Sequence, residues 1–198
     1  MSEKILKLPL EANQVRELKA GQWVNLSGHL YTGRDATLKR VCDTIAESKT
    51  PPVDFKGQLL YFVGPTPPAP GEPIGAAGPT TSRRMESFIP TMIKAGIVGI
   101  MGKGPLSEST MAELKRHGVI YLAAAGGAGA FYGSKVHGAA VMAYEDLGTA
   151  AIYSMQVEKF PAVVALDVEG RDLFSEGPKE YKPLENKNEA SKECKKEG

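Results

Sequence analysis

Ile97-Val98-Gly99-Ile100-Met101-Gly102-Lys103-Gly104-Pro105 is the stretch whose reading decides the fold class. An apolar run closed by a glycine–lysine–glycine–proline turn reads as a buried strand, Ile97–Met101, ending in a tight loop. Ser107, followed by Glu108 and Thr110, then opens a helix that runs to His117, and Val119–Ala124 is a second apolar run. Strand, turn, helix and strand in close succession is the unit of a parallel sheet. Two parallel strands need a crossover between them, and a helix is the usual one.

The same alternation extends in both directions. Upstream, Gln58–Val63 is a short run of β-formers bounded by Gly57 and by Gly64-Pro65, and Gly78-Pro79-Thr80-Thr81-Ser82 leads into a helical stretch ending at Ala95. Between them Pro65 to Gly78 is crowded with proline and glycine and forms no regular element. It reads as a surface excursion that returns the chain to a functional edge. Further upstream, Trp23–Leu30 alternates apolar and polar residues, as a half-buried strand does. Gly33-Arg34-Asp35 then opens a helix whose Leu38, Val41, Cys42 and Ile45 share one face, and Lys49-Thr50-Pro51-Pro52 closes it. Residues 1–22 are mixed, with a short helix around Ala12–Lys19. Downstream, Gly126-Gly127-Ala128-Gly129 leads into a short helix and Ala139–Tyr144 is a strand. Met155–Phe160 and Ala162–Val168 are two more, divided at Pro161. The fold class is α/β, with helices packed on a largely parallel or mixed sheet and the N- and C-terminal strands as a second layer.

Residues 1–184 form one domain, and 185–198 is a charged tail poor in apolar anchors, expected to be disordered. A net charge of +1 gives no bulk attraction to nucleic acid or to a membrane surface. Met1–Leu10 has no long apolar run, so a cytoplasmic protein without signal peptide or membrane span is expected. The two cysteines, Cys42 and Cys194, match no metal-ligand spacing. An iron–sulfur cluster needs three or four thiolates, more than this chain supplies.

Gly78-Pro79-Thr80-Thr81-Ser82-Arg83-Arg84 is the stretch richest in chemistry. Hydroxyls and free backbone N–H groups meet at a loop-to-helix junction, and two guanidinium groups follow. That combination suits an anion, and an arginine fork fits a carboxylate or phosphate. The plain alternative is a helix cap followed by solvated arginines. Gly102-Lys103-Gly104 sets a lysine at the carboxyl end of a strand, where open α/β sheets bind ligands. Its alternative is a surface turn, and it lacks the spacing of a phosphate-binding P-loop. Thr32-Gly33-Arg34-Asp35 repeats the pattern, although Asp35 also has a purely structural role at a helix start. Gly126–Gly129 fails the dinucleotide spacing because position 132 is Tyr132, and close helix–strand packing explains its glycines. The three histidines are scattered, and His117 sits before Gly118 at a helix end, where histidine has structural reasons to be.

Gly78-Pro-Thr-Thr-Ser-Arg-Arg84-Met85-Glu86 resembles the GPTTSxRM segment of the β subunits of class I iron–sulfur fumarases and tartrate dehydratases. Tyr31-Thr-Gly-Arg-Asp35, Gly102-Lys-Gly104, Tyr144-Glu-Asp-Leu-Gly148 and Val157–Asp167 are also similar to that family, so the likeness covers about residues 5–175. The resemblance implies a swivelling β/β/α-type domain. It implies an α subunit, or an N-terminal domain, that carries a [4Fe–4S] cluster on three cysteines, and a higher hetero-oligomer. It implies reversible hydration of a C4 dicarboxylate: fumarate to malate first, tartrate as the alternative. Arg34, Arg84 and Lys103 match positions that hold substrate carboxylates, with Thr81 beside them. Thr80 matches a proton-transfer residue. Arg83 departs from the family pattern and bears on substrate identity. A non-catalytic anion-binding module is the competing class of function.

Overall fold

The computed structural model describes residues 4–179. Its elements are β1 (Lys4–Lys7), α1 (Ala12–Glu17), β2 (Trp23–Thr32), α2 (Asp35–Ala46), β3 (Leu59–Tyr61), a 3-10 helix at Ser82–Phe88 running into α3 (Ile89–Lys94), β4 (Gly99–Gly102), α4 (Glu108–His117), β5 (Ile120–Ala123), α5 (Gly129–Gly133), β6 (Val136–Ala143), a 3-10 segment at Glu145–Ala150 and β7 (Ile152–Leu166). The tail expected from residue 185 lies outside the described residues.

One seven-stranded sheet carries the fold, in the order β1-β2-β3-β4-β5-β7-β6. β1 to β5 pair in parallel, and β7 runs antiparallel to β2, β5 and β6. Because β7 pairs with both β2 and β5, the sheet closes on itself through β2, β3, β4, β5 and β7. The α/β reading holds, with two corrections. The terminal strands join the same sheet instead of forming a second layer. Within residues 1–22 the chain makes not only α1 but also β1, whose four residues are too few to show a period.

Alternation along β3 sets the two cores. Leu59, Tyr61 and Val63 point inside the closed sheet, with Leu26, Leu30, Leu122, Met155, Phe160 and Val164. Leu60 and Phe62 point outward, against Leu38 and Val41 of α2, Met85, Ile89 and Met92 of the helical segment, and Leu114 of α4. Successive strand residues face opposite sides, so one apolar run feeds both layers. The outer helices have local reasons to form. α4 is capped by Ser107, whose hydroxyl accepts from Thr110 N–H at 3.4 Å, and it ends on Gly118 at φ 65°.

β7 is one strand of fifteen residues, not two divided at Pro161. Pro161 sits in register with Asn25, and the irregularity lies earlier, where Leu26 pairs with Phe160 but Gly28 with Val157. Lys159 takes up the extra residue at φ 48°. The bend that lets one strand serve three neighbours is this bulge.

Candidate functional site at the carboxyl ends of the parallel strands

The parallel strands β2, β3, β4 and β5 end on one edge, and the candidate residues lie in the segments that follow β2, β3 and β4, Arg84 on the 3-10 helix and the others in loops. The chain leaves the sheet after β3, makes the 65–78 excursion, and returns at Thr80 to the place β3 has vacated beside β4. Thr80 N–H donates to Phe62 C=O at 2.7 Å, Lys103 N–H to Thr80 C=O at 3.3 Å, and Ser82 N–H to Lys103 C=O at 2.9 Å. Thr81 and Lys103 form a parallel bridge. The two hydroxyl residues and the lysine are thus fixed by main-chain bonds. Their side chains are thereby held at this edge.

A buried polar link fixes the pair of loops. The Tyr121 hydroxyl donates to Gly104 C=O at 2.6 Å and lies 2.9 Å from Ser82 Oγ. Burial pushes the Tyr121 phenol up to about 12, against a smaller lowering by the Ser82 hydrogen bond, so it stays neutral. The packing here is close enough to require glycine at 102. A Cβ there would stand 2.1 Å from Ser82 Oγ and 3.3 Å from Thr80 O. The excursion is itself anchored. Tyr61 hydroxyl donates to Ala77 C=O at 2.6 Å, and Ala77 N–H to Gly129 C=O at 2.9 Å. Gly129 packs on Gly78, and a Cβ on Gly133 would meet Gly75 O at 2.3 Å. Gly129 and Gly133 therefore serve close backbone approach, against the excursion and not against a strand, whereas Gly127 takes a left-handed turn at φ 79° in open space and Gly126 faces the Lys103 side chain.

The candidate side chains fall into two groups. Lys103 and Thr81 line an open cleft of about 510 Å³ with Gly104, Ala124, Gly126 and Trp23. The Lys103 stem lies along Gly126, where a Cβ would be 3.4 Å from Cδ. Arg34 and Arg84 form the second group, joined by Asp35. Arg84 Nη2 donates to an Asp35 carboxylate oxygen, and Arg34 Nε lies 3.7 Å from the other. Arg34 folds across Gly64, whose Cβ would meet Arg34 Cδ at 2.5 Å and Thr149 O at 2.7 Å. Its Nε is buried without a hydrogen-bond partner among the described residues. Arg34 follows β2, Lys103 follows β4, and Arg84 stands on the 3-10 helix that Thr80 and Thr81 lead into, so the arginine group and the lysine belong to strands separated by β3 in the sheet. Arg83 is exposed on the 3-10 helix, outside both groups.

Asp35 and Tyr121 were not legible as site residues, and Ser82, grouped in the sequence with the hydroxyls offered to an anion, is instead fully buried against the Tyr121 hydroxyl. Asp35 reads as a helix-start acid, and its ion pair spans 49 positions. Tyr121 looks like an ordinary strand residue, 39 positions from the Ser82 it meets. Three cations and one carboxylate leave two net positive charges on this edge. That matches the two negative charges of a dicarboxylate.

Among the described residues Cys42 is the one cysteine, and no group of three histidine, cysteine, aspartate or glutamate side chains converges as metal ligands. Cys42 faces Thr91, and burial raises its thiol pKa. These residues do not fit an iron–sulfur cluster within this chain. No helix of the described residues is long and apolar enough to cross a membrane.

Comparison with known proteins agrees with the geometry. The family described as Fumarase C-terminus matches residues 3–177. A protein of Geobacillus stearothermophilus provisionally named class I fumarate hydratase is 37% identical over 176 residues, covering 86% of this chain and 33% of its own length. The anaerobic class I fumarate hydratase of Escherichia coli is 31% identical over 165 residues, covering 82% and 30%. A protein of Methanocaldococcus jannaschii provisionally named L(+)-tartrate dehydratase subunit beta is 31% identical over 173 residues, covering 84% and 89%. The chain spans about a third of the length of the two fumarate hydratases. A match over nearly all its described residues, with the motifs at one strand edge, shows that the chain belongs to the Fumarase C-terminus family.

Proposed function

We propose that this chain is the β-type part of a hydro-lyase that hydrates fumarate to malate reversibly, and that it contributes the carboxylate-binding half of a shared active site. The observation that carries this reading is the edge itself. Arg34, Arg84 and Lys103 stand in the segments after neighbouring parallel strands, and Thr80 and Thr81 are pinned beside Lys103. Removing a proton beside a carboxylate builds negative charge there, and fixed cations stabilise that charge as it develops. Cations carried on separate loops hold both ends of a four-carbon dicarboxylate and fix its orientation. Asp35 aims the Arg84 guanidinium and lowers the net positive charge. Thr80 is the proton-transfer candidate. A hydroxyl is a weak base by itself, so its activating group comes from across the interface.

The other half belongs to an α-type subunit or domain. Its [4Fe–4S] cluster, held by its own cysteines, supplies a Lewis acid for the substrate hydroxyl. The relatives named fumarate hydratase carry about two thirds of their length beyond the matched region. A cleft of about 770 Å³ lined by Trp23, Phe131, Ala128 and Pro161 adjoins the Lys103 cleft through Trp23, Ala125 and Tyr132. That apolar ground beside the cations suits the partner's contact. Tartrate is the second reading, supported by the relative named tartrate dehydratase subunit beta and by the exposed Arg83. The test is anaerobic co-expression with a cluster-bearing α chain, followed by assays with fumarate, malate and tartrate. Fumarate hydration that needs both chains supports the proposal. An assembled complex that turns over none of the three leaves an anion-binding module instead.

A further inference from the structure

The motif Tyr144-Glu-Asp-Leu-Gly148 contributes none of the cations, yet the segment it opens lies beside Arg34. The chain turns into that segment at Tyr144, φ 60°, and kinks at Gly148, φ 55°, so the 3-10 helix of Glu145–Ala150 has little regular bonding of its own. It is held from outside, by α2 and the end of β2. Thr37, Arg40 and Thr44, spaced by three and four, share one face of α2. The Arg40 guanidinium donates to both Asp146 carboxylate oxygens, at 2.7 and 2.8 Å, and lies over the Tyr144 ring, 4.9 Å from its centroid. Thr44 Oγ1 is 3.5 Å from the Tyr144 hydroxyl. At the far end the Thr37 hydroxyl donates to Ala150 C=O, and the buried Thr32 hydroxyl donates to Ala151 C=O at 3.4 Å and accepts from Tyr153 N–H at 2.9 Å. The segment is thus clasped at both ends by the elements that carry Arg34, the residue before α2. Thr149 lies between the clasps. Its carbonyl oxygen and Arg34 Cδ meet over Gly64, 2.7 and 2.5 Å from the point a Cβ there would occupy.

We propose that this clasped segment sets the reach of Arg34, and that Arg40 and Asp146 are positioning residues for the binding of a substrate carboxylate. The kinetic side of this rests on the reading of Arg34 as a carboxylate ligand. An arginine has much rotamer freedom to lose, and a slot that confines its stem before substrate arrives lowers the cost of binding. Gly64 forms one wall of the slot and the Thr149 carbonyl lies beside it. The Arg40–Asp146 pair is exposed, and such pairs do little for stability, but a two-bond fork fixes direction. Thr32 and Thr37 are buried and keep the far end in place. Release of Asp146 therefore loosens Glu145–Thr149 and lets the Arg34 stem leave its slot, with the domain still folded.

Asp146→Ala tests this in two readouts. In the full chain alone, NMR relaxation of the Arg34 Nε–H group should show its order parameter falling from about 0.85, as in rigid groups, to below about 0.6. In the enzyme assembled with its α-type partner, KM for fumarate should rise about three- to tenfold with kcat little changed. The melting temperature should stay within about 4 °C of wild type. On an Arg34→Ala background Asp146→Ala should raise KM no further, whereas a merely structural role would cost the same in both backgrounds. An Arg34 order parameter indifferent to Asp146→Ala overturns the proposal, and so does a KM effect that persists without Arg34. The reading of Arg34 as a ligand fails by a different result, wild-type kcat/KM in Arg34→Ala alone. The NMR readout does not depend on that reading and still decides whether the segment holds Arg34.

Discussion

Gly102→Ala probes the join between the two loops that carry Thr80, Thr81 and Lys103. The new methyl would stand 2.1 Å from Ser82 Oγ, 3.1 Å from a Phe62 ring carbon and 3.3 Å from Thr80 O. Phe62 is buried in the outer core and Thr80 O is main chain that accepts from Lys103, so neither gives way freely. The Ser82 hydroxyl must move, and moving it breaks its contact with the Tyr121 hydroxyl. Overpacking of this kind costs about 1–3 kcal/mol, and the lost hydrogen bond about 1 kcal/mol more. The sum, about 2–4 kcal/mol, lowers the melting temperature by roughly 4–16 °C in a domain of this size. Calorimetry of the isolated chain reads it. Ser82→Ala removes the clashing oxygen, so the double variant should be little less stable than Ser82→Ala alone, a coupling that a double-mutant cycle measures. If Gly102→Ala melts within about 1 °C of wild type, or if the two substitutions are additive, the tight join is wrong.

Three further outcomes follow from the same geometry. Asp167 is fully buried and its carboxylate accepts from the N–H groups of Ala20, Glu169 and Arg171, so Asp167→Ala should cost about 2–4 kcal/mol, read by urea unfolding. The Tyr121 phenol is raised from 10.0 to about 12 by burial. The folded state therefore holds its proton more tightly than the unfolded chain. The stability this gives is complete below pH 10 and is lost as pH rises through about 12, whereas Tyr121→Phe should flatten that slope in stability curves between those limits. Gly64→Ala puts a methyl 2.5 Å from Arg34 Cδ and should cut kcat/KM of the assembled enzyme about tenfold or more by displacing Arg34, checked by steady-state kinetics.

The sheet was legible where periodicity and punctuation agreed. The Ile97–Ala124 run gave β4, α4 and β5 because apolar strands, a serine cap and a glycine stop all mark the same boundaries. It failed where the decisive partner is distant. Pro161 looks like a break, yet β7 passes through it, because the bend is taken by Lys159 two residues earlier and fixed by pairing to β2. β6 was expected from Ala139 and begins at Val136, since Lys135 and His137 hide its start. The site shows the same division. Arg34, Thr80, Thr81, Arg84 and Lys103 could be offered as candidates from short motifs and the family resemblance they carry. Their division into an arginine group and a lysine group could not, because Asp35 and Tyr121 act through contacts 49 and 39 positions away.

The central claim is that the cations of this edge bind substrate carboxylates. The most direct test is steady-state kinetics of the assembled enzyme carrying Arg34→Ala, Arg84→Ala or Lys103→Ala, with melting curves of each variant. Loss of a charge-assisted hydrogen bond to a carboxylate removes about 2–4 kcal/mol of transition-state stabilisation, or about 30- to 1000-fold in kcat/KM. Arg84→Lys should recover only part of it, because a point charge does not reproduce a guanidinium fork. The account predicts that loss for all three alanine variants, at melting temperatures close to wild type. Wild-type kcat/KM in Arg84→Ala and Lys103→Ala would contradict it.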